Sequence, residues 1–126
     1  MCIRDSFNAS GKTDILIREE NKNVFIAECK FWSGKKGFVA AVSQLLGYLT
    51  WRDSKSALMM FNRTKDSSGV RAKMHEAMEE LPEHRKTVSY DPDGDCCYVL
   101  VKKEEPGKEI IVTTQLYDIP LSLIHI

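Results

Sequence analysis

The 126-residue chain contains no apolar run approaching the ~20 residues that a membrane-spanning helix requires. It has no excess of either charge, because 18 Lys and Arg balance 18 Asp and Glu. A neutral chain lacks the bulk positive field that draws proteins to polyanions, so any nucleic-acid contact must rest on local patches. Cysteine is scarce: Cys2, Cys29, Cys96 and Cys97 include no C-x-x-C pair. That spacing argues against a zinc site and against a disulfide scaffold, and it fits a reducing cytoplasm. Repeats, low-complexity segments, a phosphate-binding glycine loop and a Ser-His-Asp set are all missing. Asp91, Asp93 and Asp95 invite a calcium-loop reading. An EF-hand needs glycine at its sixth position and glutamate at its twelfth, where this chain has Cys96 and Lys102.

What remains is an ordinary globular composition, 43% hydrophobic and 29% charged, with charges in unusual places. Asp14-Ile15-Leu16-Ile17 and Val24-Phe25-Ile26-Ala27-Glu28-Cys29-Lys30 are two short apolar runs joined by the polar link Arg18–Asn23. A charge inside a buried strand is costly unless something compensates it, and chemistry is the usual reason to keep one. A hairpin centred on Asn21 sets Asp14 directly opposite Glu28, and opposed residues share a face with Cβ atoms about 4.5–5.5 Å apart. Lys30, two residues on, falls on that face too. Two close carboxylates repel each other. A hard divalent cation with few protein oxygens, such as Mg²⁺ or Mn²⁺, removes the repulsion. The plainer alternatives are that Asp14 is a strand-edge residue after a Gly-Lys-Thr turn, and that Glu28 and Lys30 form a solvent-facing pair.

Asp14 followed by Glu28-Cys29-Lys30 resembles the catalytic core of the PD-(D/E)XK nuclease superfamily, the restriction-endonuclease-like fold. Gln44-Leu45-Leu46-Gly47-Tyr48 resembles the Q-x-x-x-Y helix motif of one exonuclease branch. The resemblance runs from Gly11 to about Phe61. It implies an α/β fold: a mixed β-sheet flanked by helices, truncated at its N-terminal side because the family's first helix and first strand would precede this chain. It implies a Mg²⁺-dependent deoxyribonuclease with Asp14 and Glu28 as metal ligands. Lys30 would position or activate water, and Gln44 and Tyr48 would hold substrate or Lys30. The partner implied is DNA, with RNA as the variant. A homodimer, further domains in a longer parent and a role in bacterial defence or DNA repair are further expectations. The rival reading is a catalytically inactive restriction-like module that binds nucleic acid or protein.

Along the rest of the chain, Ser33–Gly37 reads as a turn whose Lys35 and Lys36 suit phosphate contact. Phe38 to Arg52 reads as a helix and Lys55–Asn62 as a buried strand, joined as a strand–helix–strand crossover that implies parallel pairing. Arg63 and Lys65 follow that strand as further phosphate contacts. Ser67 or Ser68 is the expected cap of a helix ending at Pro82. Thr87–Tyr90, Cys96–Lys102 and Glu109–Tyr117 read as strands. His75 and His84 read as solvated, and Cys29 as a small core hydrophobe.

The two ends look foreign. Met1–Ser6 resembles a translated adaptor from transposase-based sequencing libraries, and Leu121–Ile126 resembles the translated reverse complement. Both are set aside from functional reasoning, leaving residues 7–120 as a single, partial domain.

Overall fold

The computed structural model describes residues 2–5, 15–19, 22–49, 55–104 and 107–119. Their strands form one seven-stranded mixed sheet. In chain order they are β1 (Cys2–Asp5), β2 (Ile15–Glu19), β3 (Lys22–Phe31), β4 (Ser56–Asn62), β5 (His84–Ser89), β6 (Cys96–Val101) and β7 (Glu109–Asp118). Helix α1 (Lys35–Tyr48) lies between β3 and β4, and α2 (Ser67–Glu80) between β4 and β5. Across the sheet the order is β1-β2-β3-β4-β7-β6-β5.

The three middle strands, β3, β4 and β7, run parallel, as a strand–helix–strand connection requires. The outer pairs are antiparallel. The β2–β3 hairpin has the register expected from its polar link. Ile15 pairs with Ala27, Leu16 with Ile26 and Ile17 with Phe25, all symmetric about Asn21. A bulge at Ile17/Arg18 then shifts the register by one. Cys2–Asp5, the segment set aside as adaptor-like, pairs its backbone with β2.

Strand alternation sorts the sheet into two unlike faces. Ile26 of β3, Leu58 and Met60 of β4, Tyr98 and Leu100 of β6, and Ile110, Val112 and Leu116 of β7 point into one core. There they meet Phe38, Ala41, Val42, Leu45 and Leu46 of α1, and Val70, Met74, Ala77 and Met78 of α2. The helices touch each other and lie on this same face. The opposite face carries Phe31, Phe61, Ile111 and Tyr117.

Element ends differ from expectation for local reasons. α1 starts at Lys35, earlier than expected, because Gly34 takes φ 114°, a conformation that favours glycine, and its carbonyl accepts from Phe38 N at 3.1 Å. It stops at Tyr48 where Leu49 turns extended. The Leu49 carbonyl is then capped by Lys102 Nζ at 2.9 Å, a partner far away in sequence. α2 is capped by Asp66, not by Ser67 or Ser68: the Asp66 carboxylate accepts from Gly69 N at 3.1 Å. β5 begins at His84, where a turn onto Leu81 O returns the chain to pair with Leu100.

Candidate functional site

Glu28 sits in the middle of β3 and is only 1% exposed. Its register partner on β4 is Leu58, a fully buried core residue, and Leu58 is in turn paired with Thr114 of β7. Glu28 is therefore on the helix-covered face, beside Ile26 in sequence parity. Lys30 has the same parity, is half-buried, and pairs in register with Met60. The burial of Glu28 excludes the solvent-facing pair. Both side chains belong to the covered side of the sheet, where a carboxylate is costly without compensating charge. The backbone around them is held at both ends of the parallel pair: Ile26 N donates to Lys55 O at 3.2 Å and Trp32 N to Phe61 O at 2.8 Å.

Asp14 lies outside the described residues. The described β2–β3 register reaches Ile15 and Ala27, the pair adjoining Asp14 and Glu28.

The helix motif separates into two environments. Tyr48 is half-buried against the core cluster. Gln44 is exposed. The cause is helical phase: with 100° per residue, Gln44 stands roughly 130° from the centre of the stripe Phe38, Ala41, Val42, Leu45, Leu46 that faces the sheet. Tyr48 stands nearer its edge.

The basic residues also diverge. Lys35 Nζ lies 2.5 Å from Glu76 Oε1 and 3.1 Å from Glu80 Oε1, bridging the start of α1 to α2. The hydrogen bond to Glu76, and then that to Glu80, raise the Lys35 pKa. The same bond with Lys35 lowers that of Glu76. Lys36, beside it in the first turn, is exposed. Arg63 is exposed beyond β4, with its guanidinium carbon 4.3 Å from the centre of the Phe31 ring. Cys29 is half-buried and faces away from the helices, with its Sγ 3.8 Å from Met59 Sδ.

A cluster that the sequence did not disclose joins α2, β5 and β6. His75 Nδ1 is 2.8 Å from the Tyr98 hydroxyl, and its Nε2 is 3.4 Å from Glu79 Oε2. Thr87 Oγ1 donates to Glu79 Oε2 at 3.1 Å and lies 3.0 Å from His84 Nε2. The His75 ring stacks on Tyr90 at 4.0 Å. Both histidines are half-buried and engaged, which corrects the expectation that they are solvated. The His75/Glu79 spacing of one helical turn was visible in the sequence. Tyr98, the hub, was not, because it arrives from a distant strand.

A depression of about 560 Å³ is lined by Ser43, Gly47, Glu83, Lys102 and Glu104 among others, and by none of Glu28, Lys30, Lys35, Lys36, Gln44, Tyr48 and Arg63.

The fit of a metal can be judged on donor chemistry. A buried carboxylate two residues from a lysine on one face offers hard oxygen to a divalent cation. Among the described residues no group of three or more His, Cys, Asp and Glu converges as a metal cage. Glu28 would be one donor to such an ion, and the second donor expected from the sequence is Asp14. Among the described residues, no helix is long and apolar enough to cross a membrane.

No family model matches the chain, and comparison with curated proteins and with solved structures gave no significant match.

Proposed function

We propose that the chain carries the catalytic strands of a metal-dependent nuclease of restriction-endonuclease-like fold, hydrolysing phosphodiester bonds of DNA. One observation supports this above the rest: Glu28 is 1% exposed at mid-strand on the same face as Lys30. A carboxylate taken out of water at mid-strand is costly unless something compensates it, and a bound divalent cation is a compensation that also serves chemistry. The reading requires Asp14 to follow the register of Ile15 and Ala27 and so join Glu28 as the second ligand. Mg²⁺, when bound, would supply the Lewis acidity that lowers the pKa of an attacking water. Lys30 then stands two residues from Glu28, where its ammonium can orient that water or offset charge on the phosphate. Glu28 and Asp14 would hold the ion, and the apolar residues around Glu28 exclude competing solvent.

The test is plasmid nicking by the purified chain with Mg²⁺, with EDTA, and with the variants Lys30→Ala and Glu28→Gln. Nicking should need Mg²⁺ and both side chains. Cleavage that survives EDTA or the Lys30 change overturns the reading, as does a chain that binds Mg²⁺ and cuts nothing.

A second reading, a catalytically inactive module that binds nucleic acid or protein, is favoured by the solvent-facing position of Gln44. Nucleic-acid binding that is unaffected by Glu28→Gln, without any nicking, would select it.

A further inference from the structure

The sheet face away from the helices bears a row of aromatic side chains in register. Phe31 of β3 is the direct partner of Phe61 on β4, and Phe61 is the direct partner of Tyr117 on β7. Their ring centres are 5.9 Å and 5.8 Å apart. Phe31 is 47% exposed and Tyr117 44%. All three stand at the C-terminal ends of the parallel strands, with Phe31 next to Lys30 in sequence. The Arg63 guanidinium lies over Phe31, and among the described residues it has no carboxylate partner.

We propose that Phe31, Phe61 and Tyr117, with Arg63 laid over Phe31, form a stacking platform for unpaired bases of a single-stranded nucleic acid. Large aromatics kept on a solvent-facing sheet are a liability unless something covers them. Every base has a π-face, so a row of rings binds single strands with little regard to sequence. The spacing selects single strands over duplex. Rings nearly 6 Å apart cannot each take a base from a stack with a rise of about 3.4 Å, so the bases must be splayed apart. The charge also suits a polyanion: Arg63 can stack on a base and donate to phosphate together. Asp95 and Asp118 at the far end of the row are held in place by neutral amides, Asp95 by Gln115 Nε2 at 3.1 Å and Asp118 by Asn62 Nδ2 at 3.0 Å, so the phosphate contact falls to Arg63 at the Phe31 end. Tyr117 donates to Gln115 Oε1 at 3.1 Å, which steadies the end of the row. The platform deepens the nuclease reading by naming the form of substrate, and in that sense rests on it.

The experiment is fluorescence anisotropy with labelled oligo(dT), oligo(U) and a duplex of equal length, in EDTA so that nothing is cut. Both single strands should bind, and the duplex at least roughly tenfold more weakly. Tyr117→Ala and Arg63→Gln should each weaken single-strand binding by roughly 5- to 150-fold, the range of a lost base–aromatic contact. Tyr117→Phe should retain it. Circular dichroism of these surface variants checks that they fold. Equal affinity for duplex and single strand, no single-strand binding, or unchanged affinity in both variants overturns the platform. So does concentration-dependent self-association that Tyr117→Ala abolishes without altering oligonucleotide affinity, which would make the face a contact between copies. Single-strand binding with no Mg²⁺-dependent cleavage of either the labelled single strands or plasmid overturns the nuclease reading and leaves the platform standing. Nicking with unaltered binding in the variants does the reverse.

Discussion

His75 Nδ1 and the hydroxyl of Tyr98 lie 2.8 Å apart, tying the middle of α2 to the middle of β6. Tyr98 is 1% exposed, so its phenol has exchanged water for His75 and for the neighbouring side chains of Cys96 and Thr114. Burial pushes the phenol pKa well above its ordinary value of 10.0, with the neighbouring Cys96 adding to the rise.

That shift has a defined sign. Between the unfolded pKa of 10.0 and the higher folded value, the unfolded chain releases the Tyr98 proton while the folded chain keeps it. The unfolded state then binds fewer protons, so stability falls as pH rises. The contribution is complete below pH 10 and is lost above it. Denaturant melts from pH 8 to 11 should show this alkaline loss, and Tyr98→Phe should flatten it while costing about 1 kcal/mol at neutral pH for the lost hydrogen bond. An unchanged alkaline slope in Tyr98→Phe would count against the assignment.

Glu28→Gln separates a metal ligand from a structural carboxylate. The amide keeps the shape and loses the charge, so in EDTA the thermal midpoint should stay level or rise. Mg²⁺ should stabilise the original chain by mass action, by about 1.4 kcal/mol at ten times its Kd, and leave Glu28→Gln unmoved. Equal Mg²⁺ shifts in both proteins would remove Glu28 from the metal site.

Lys35 and Lys36 are adjacent in sequence and opposite in expected effect. Lys35→Ala breaks the bridge from α1 to Glu76 and Glu80, so its effect should be on thermal stability, and high salt should shrink it. Lys36→Ala should instead weaken nucleic-acid binding and lower its salt dependence by about one counterion. Salt titrations of binding and of melting decide this, and a reversed pattern would refute it.

Asp66→Ala should destabilise the protein by about 1 kcal/mol through loss of the α2 cap, whereas Ser67→Ala and Ser68→Ala should be near neutral. Urea midpoints at constant slope provide the measure. A larger loss from either serine would mean that the cap has been misplaced.

Much of the fold was legible in the chain. The apolar runs of β3, β4, β6 and β7 and the periodic stripes of α1 and α2 lie where the residues placed them, because period and burial are local properties read directly from side-chain type. The parallel pairing of β3 with β4 followed from the helix between them. The symmetry of the β2–β3 pairs about Asn21 followed from the short polar link. Element ends were less legible. Whether Asp66, Ser67 or Ser68 caps α2 depends on one backbone turn that all three permit. The early start of α1 depends on Gly34 entering a conformation that its neighbours do not specify.

The sequence by itself determined that Glu28 and Lys30 share a face, because alternation along a strand permits nothing else. Only the tertiary structure decided that this face is the one beneath the helices, through the register that sets Glu28 against Leu58. It also engaged Lys35 with α2 and joined His75 to Tyr98. The row Phe31, Phe61, Tyr117 had the same origin. Those three residues are far apart in the chain, and they become neighbours only because three strands align in parallel. Periodicity acts within one element, whereas register between elements is set by the packing of the whole sheet.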